Sequence, residues 1–439
     1  MCFRNPLRVR LLATSHQNED YQNSIVISAL RSCAALQVLA AHLRGELFPS
    51  LRSLPDPTLW YQALAFITGF SHMAVMVFFV LSGWLVGGSL LNKLGEPQLL
   101  ASYAIDRITR LWIVLIPTFV LTIALGTLAG TVALDRVSFT PDDEYSVTAF
   151  LGNLFGLQGM AVPRFGINYS LWSLSNETWY YVLFPLLLLP FIGKSKVAKV
   201  TGLVASAAIA YLLVDDVLLY FLIWLLGAAF SRIQIELSRV MHIMLLIGIV
   251  SYAVYYRLGG TFDDPLPRTF AEDLLFSVLF ACWLSSLQYP ANSESFGNRM
   301  AILVGYLAPF SFTLYAVHYP VLHTIKRLDG PLGIRQLSPS DPSSLLVYGA
   351  LFVGIVAFAY LFHLPFEAQT YSLRRFFKRL VLGSRRQNSV SRSTKSPVPR
   401  TGYSEPSELE HVTRVIQHDQ SDNGADDQVR TGQTSDTHK

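Results

Sequence analysis

The sequence predicts an all-α fold, a polytopic bundle of about ten transmembrane helices with both termini on the cytoplasmic side. Three observations carry the prediction. Of the 439 residues, 51% are hydrophobic and only 15% charged, whereas a soluble chain carries about a quarter charged residues. Apolar runs near or above the ~20 residues that cross hydrocarbon recur from about residue 24 to residue 367. Lysine and arginine gather in alternate loops, the bias that sets membrane orientation.

The spans fall at roughly 24–43, 70–91, 111–133, 172–192, 199–214, 217–231, 240–256, 273–290, 302–325 and 344–366. Several are short or joined by tight loops, as at "VDD" (214–216). The stretch "VTAFLGNLFGLQGM" (147–160) is apolar but too short to cross, which suits an interfacial or re-entrant piece. With ten spans, the inner segments hold Arg4, Arg8, Arg10, Lys93, Arg107, Arg110, Lys194, Lys196, Lys199, Arg232, Arg239 and Arg299, followed by "RRFFKR". The outer loops hold fewer cations (Arg44, Arg52, Arg136, Arg164, Arg257, Arg268, Lys326, Arg327, Arg335) and more acid, as in "PDDEY", "FDDP" and "EDL".

Three segments result: a cytoplasmic N-terminal piece (1–23), the membrane domain (24–367), and a cytoplasmic tail (368–439) that is basic and then polar. From about residue 384 the tail is too poor in apolar residues to build a core and is expected to be disordered. The N-terminus lacks an adequate apolar h-region or small-residue cleavage site, so no cleaved signal peptide is expected. The net charge of +4 reports topology rather than a nucleic-acid partner. Cys2, Cys33 and Cys282 form neither a disulfide framework nor a metal-ligand spacing. No metal and no bound cofactor is expected.

The chemistry lies in polar residues inside the spans, where such groups are costly and tend to be functional. In "ALRSCAALQVLAAHLRGELFP" (29–49), Arg31 and His42 stand eleven residues apart. That is ~1100° of helix, about 20° from the same face and roughly 16 Å along the axis. A snorkelling arginine and an interfacial histidine are the ordinary alternative, but Arg31 is too deep to snorkel easily, which favours a polar cavity. In the second span Ser82 and Gly83 follow Phe78 and Phe79, and Gly87 has the spacing that lets helices approach closely. Arg107 and Arg110, one turn apart, suit either headgroup anchoring or phosphate binding. Glu177 lies below an aromatic belt of Trp172, Trp179, Tyr180 and Tyr181, and either partners Arg31 or acts chemically. Ser311 and His318 share a helix face, with a packing histidine as the alternative. By this topology His42, Glu177 and His318 fall in the outer half of the membrane, and Ser82, Arg107 and Arg110 toward the inner side.

Taken together these stretches resemble the acyltransferase 3 family of integral membrane O-acyltransferases. Arg31 and His42 are similar to its arginine–histidine signature, "VFFVLSGWL" to its Phe-Phe-x-x-Ser-Gly element and "RITRLWIVLIP" to its Arg-x-x-Arg start of the third span. "SLWSLSNETWYYVLFP" resembles its Trp-Ser-Leu-x-x-Glu block, and "SFTLYAVHYP" its Ser…Tyr-x-x-His-x-Pro element. Each motif alone is weak; five in the same order over about residues 24–367 are strong. The "NET" triplet at Asn176 departs from the pattern, and its place at the start of a span makes glycosylation there unexpected.

The resemblance implies transfer of an acyl group, often acetyl, from cytoplasmic acyl-CoA to a hydroxyl of a sugar, polysaccharide, lipid-linked glycan or glycosylated metabolite. The partners would then be acyl-CoA, the carbohydrate or lipid-linked glycan acceptor and membrane lipid. His42 would be the general base, since neutral imidazole suits that step. Glu177 would orient it or serve as a second acid/base, and Arg31 would polarise the thioester carbonyl or hold donor phosphates. Arg107 and Arg110 would steer the donor, with Ser82, Trp172 and His318 completing the substrate sites. Some members of the family carry an extra C-terminal esterase-like domain; with a polar tail in that place, a two-domain relay is not expected here. A proton-coupled transporter of a small sugar or metabolite would also want buried His, Glu and Arg, but the chain has no repeat symmetry to support it. A bacterial inner membrane is favoured over a eukaryotic one.

Overall fold

The computed structural model describes residues 7–15, 21–132, 138–259, 270–290, 296–328 and 337–383. Arg4, Arg136, Arg268, Arg335, the "FDDP" loop and the tail from residue 384 lie outside the described residues. The helices, in chain order, are α1 (Gln22–Leu47), α2 (Leu59–Ile67), α3 (Ser71–Ser82), α4 (Leu99–Leu128), α5 (Val147–Leu154), α6 (Leu171–Ile192) and α7 (Lys196–Leu212). They continue as α8 (Asp215–Phe230), α9 (Arg239–Gly259), α10 (Phe270–Ser285), α11 (Phe296–Gly305), α12 (Ser311–Arg327), α13 (Ser343–His363) and α14 (Thr370–Lys378).

Among the described residues six helical stretches are long and apolar enough to cross a membrane: Gln22–Ser53, Leu59–Asn92, Leu99–Leu128, Arg239–Gly259, Arg299–Arg327 and Ser343–Gly383. The other four expected spans are helices too, α6, α7, α8 and α10, of 22, 17, 16 and 16 residues. A 16-residue helix is only about 24 Å long, short of the ~30 Å hydrocarbon core, and α6 is diluted by polar residues in its first turns. The stretch at 147–160 contains only the eight-residue helix α5, which at about 12 Å cannot cross.

The all-α expectation needs one amendment. Leu7–Leu11 (β1) pairs antiparallel with Ile233–Leu237 (β2), between α8 and α9, and Arg10 reaches Glu236 at 3.1 Å. Four of the expected outer-loop cations (Arg44, Arg257, Lys326 and Arg327) and the two acids of "EDL" (Glu272 and Asp273) lie in helices rather than loops. Arg44 and Arg257 are buried, donating to the Thr68 hydroxyl at 3.0 Å and to the Ala65 carbonyl at 2.9 Å. Asp273 is buried in α10, held by His72 at 2.9 Å and by the Tyr220 hydroxyl at 3.1 Å. A buried charge needs such partners.

Helix α1 lies between two buried apolar clusters. Its Ala34 and Val38 join one with Trp84, Phe119, Tyr180 and Trp224, while its Ala35, Leu39 and Leu43 join the other with Phe310 and Val317. The outward faces of α7, α9 and α13 expose Leu203, Tyr211, Ile247, Val250, Val353 and Leu361. Apolar surface on that scale requires a covering phase, which for a chain with six such helices is lipid.

Helix α3 passes through a wider π turn (Gly83–Gly87) into Gly88–Asn92. At this turn α3 and α8 touch backbone to backbone. A Cβ on Gly83 would stand 1.9 Å from the Trp224 carbonyl oxygen, and one on Gly227 would stand 2.1 Å from that of Val80. The reciprocal glycines are what permit this approach, and the turn sits directly after Ser82, where π turns are common at functional sites.

Candidate active site

A cavity of about 820 Å³ opens among α1, α3, α4, α6, α11, α12 and α14. Four arginines line it, Arg31, Arg107, Arg110 and Arg374, together with one carboxylate, Glu177. Its volume lies in the range of small-molecule sites. Ser24 and Ser28 place it at the N-terminal half of α1.

The arginines are held differently. Arg110 pairs with Glu367 at 2.8 Å, and the buried Glu367 also accepts from the Thr313 amide at 2.9 Å and hydroxyl at 2.6 Å. Arg107 lies over the rings of Tyr103 and Tyr181, at 5.7 and 5.6 Å to the centroids, and its buried Nε has no hydrogen-bond partner. Arg31 donates to the Ser311 hydroxyl at 3.2 Å. Among the described residues neither Arg31 nor Arg107 has a carboxylate at ion-pair distance. Four guanidiniums against one carboxylate, two of them without an ion-pair partner among the described residues, suit the cavity to anions.

Glu177 accepts from the Ser82 and Tyr181 hydroxyls, and the Trp224 indole N–H donates to the Ser82 oxygen at 3.0 Å. The sequence reading sets Glu177 in the outer half and Ser82 toward the inner side; the structure joins them. Counting depth from apolar boundaries accumulates 1.5 Å for each residue of error, which is enough to bring both to one level. Neither of the two partners considered for Glu177, His42 and Arg31, is bonded to it.

His42 pairs with His318 instead. The His318 Nδ1 donates to the Leu314 carbonyl at 3.0 Å, since a carbonyl only accepts. That fixes the tautomer and leaves His318 Nε2 as an acceptor, 2.9 Å from His42 Nδ1 and 3.2 Å from the Ser170 hydroxyl. His42 Nδ1 therefore carries its proton, and its Nε2 keeps the lone pair. This is the arrangement a general base needs, with the non-reacting nitrogen fixed by a neighbour. His318 is fully buried, whereas His42 is partly exposed.

Helices α1 and α12 thus make two rungs, Arg31–Ser311 and His42–His318. The cavity wall nearest the histidines is Tyr315, which contacts the His318 ring at 5.9 Å, bonds the Ser173 hydroxyl at 2.6 Å and meets Phe78 edge-on at 5.9 Å. Of the residues expected in the substrate sites, Ser82, Arg107 and Arg110 line the cavity; His318 lies behind Tyr315, and Trp172 packs behind Phe79 at 6.2 Å without reaching the cavity. Sequence reasoning missed Glu367, Thr313, Asp106 and Arg374. The only local signal was the Arg374/Lys378 pair, one helical turn apart, and both side chains meet Asp106.

A family model described as an acyltransferase domain matches residues 25–364, a span containing all five motifs. Among curated proteins the chain is 26% identical over 365 residues to acyltransferase MdmB of Streptomyces mycarofaciens, an alignment covering 75% of this chain and 87% of that one. No solved structure matches. With the match covering most of the chain, and six helices able to cross a membrane, this protein belongs to the acyltransferase 3 family of multi-pass membrane proteins.

Proposed function

We propose that the protein is an acyl-CoA-dependent O-acyltransferase, moving an acyl group, acetyl first among the candidates, to a hydroxyl of a sugar, polysaccharide, lipid-linked glycan or glycosylated metabolite. The observation that carries the reading is the cavity lined by four arginines and one carboxylate, in which neither Arg31 nor Arg107 has a carboxylate at ion-pair distance among the described residues. A donor bearing a pyrophosphate and a phosphate is the matching anion. Ten spans with both termini cytoplasmic, in a bacterial inner membrane, put the cavity on the side where acyl-CoA is made.

In the reaction, His42 Nε2 takes the proton of the acceptor hydroxyl as its oxygen attacks the thioester carbonyl. The C–O bond forms, the C–S bond breaks as the tetrahedral intermediate collapses, and the departing thiolate receives the proton from His42. His318 holds His42 in the reactive tautomer throughout. The pantetheine arm carries the thioester from the arginines past Phe78 and Tyr315 to His42, and Arg31, about 16 Å back along α1, holds donor phosphate rather than the reacting carbonyl. Beyond His42 the same end of α1 offers chemistry suited to a sugar: the half-exposed Tyr169 ring meets Tyr319 at 5.6 Å, Tyr319 meets His42 edge-on at 5.9 Å, and the Glu46 carboxylate lies one turn on.

Arg107→Ala tests the donor site. Losing one charge-assisted contact costs roughly 1.5–3 kcal/mol, so the KM for acetyl-CoA is expected to rise about ten- to a hundredfold with the protein still inserted. An unchanged KM would return Arg107 to headgroup anchoring and remove the main support for a CoA site.

A further inference from the structure

We propose that Arg374, on the short helix that follows the last long span, is a donor ligand that binds the 3′-phosphate of CoA, and that α14 completes the rim of the donor cavity. The inference rests on the acyl-CoA reading above. Arg374 lies beyond residue 364, where the family match ends, yet it lines the same cavity as Arg107 and Arg110.

The position of Arg374 is built from both sides. Glu367, just before α14, is buried between Arg110 and Thr313, and its carbonyl accepts from the Thr370 hydroxyl at 2.6 Å, which pins the start of the helix. At the other end Asp106 of α4 meets Arg374 Nε at 3.2 Å and Lys378 Nζ at 2.7 Å. Asp106 engages only one edge of a guanidinium that carries five N–H donors, so the remaining fork is left for a second anion. Arg374 keeps 29% of its side chain exposed, as a rim residue does.

The donor's own charge distribution then sets the order. Arg31 and Arg107, which have no carboxylate at ion-pair distance among the described residues, take the pyrophosphate, and the thioester reaches on toward His42. The phosphate farthest from the thioester falls to the residue at the rim. A planar fork matches a phosphate dianion through two parallel hydrogen bonds, which a lysine cannot reproduce. Lys378 contacts the same aspartate but does not line the cavity, so it serves as the internal control.

The test measures Kd by calorimetry on the full-length protein in detergent, with CoA and with 3′-dephospho-CoA. Wild type is expected to bind CoA more tightly than dephospho-CoA. Arg374→Gln should weaken CoA about ten- to a hundredfold and leave dephospho-CoA unchanged, erasing the preference; Lys378→Gln should preserve it. Should Arg374→Gln fail to fold, Arg374→Lys keeps the charge and the pairing with Asp106 but lacks the fork, and it should still lose most of the preference. Equal weakening of both ligands, or an undiminished preference in the Arg374 variants, would overturn the assignment while sparing the donor reading. Failure of wild type to bind either ligand would overturn the donor reading itself.

Discussion

His42→Ala is expected to lower acyl transfer about 100- to 10,000-fold, the usual contribution of a positioned general base, while acetyl-CoA binding persists. The split follows from geometry. His42 does not line the arginine-lined cavity, whereas Tyr315 both lines it and contacts the His318 ring. Removing the imidazole leaves Arg31, Arg107, Arg110 and Glu177 in place, so the donor still docks and waits. Transfer rates and acetyl-CoA affinity, measured on the same preparation with its melting temperature, check the split. Retention of full transfer would end the assignment of His42 as base, and parallel loss of donor binding would mean that His42 supports the cavity rather than the chemistry.

The second large effect is structural. Gly83→Ala should destabilise the protein by about 1–3 kcal/mol or more, the cost of overpacking a tight contact, because the added Cβ meets a backbone oxygen that no rotamer can move. Displacing Trp224 also withdraws its indole from Ser82, and with it the hydroxyl that Glu177 accepts, so activity falls with stability. Gly248→Ala, in α9 where a Cβ would meet nothing, is the matched control and should be neutral or stabilising by up to about 1 kcal/mol. Thermal melting of the two variants in detergent decides the matter; equal melting temperatures would show that the α3–α8 contact is not tight.

Much of the site was legible because its spacings are local. Eleven residues put Arg31 and His42 on one helix face, and both indeed meet α12, at Ser311 and His318. Arg107 and Arg110, one turn apart, share the cavity as their spacing suggested. What could not be read were meetings between distant helices. The pairing of Glu177 with Ser82 depends on the relative depth of α6 and α3, which hydropathy boundaries fix only loosely. The hold of Glu367 on Arg110, and of Asp106 on Arg374, joins residues far apart in the chain across surfaces that no periodicity announces. Span counting met the same limit, since 16-residue apolar helices can be buried elements or short crossings by length alone.

In the proposed reaction acyl-CoA enters at one end of α1 and delivers its acyl group to a hydroxyl activated at the other. Its most direct test uses membrane vesicles from the native cells and from cells lacking the protein, with radiolabelled acetyl-CoA supplied on either face. Label is expected to pass into glycan or lipid-linked glycan only in vesicles containing the protein, and only with donor on the cytoplasmic face. His42→Ala is expected to abolish the transfer. No protein-dependent consumption of acetyl-CoA from either face, with proton-driven uptake of a sugar in its place, would contradict it and make the protein a transporter.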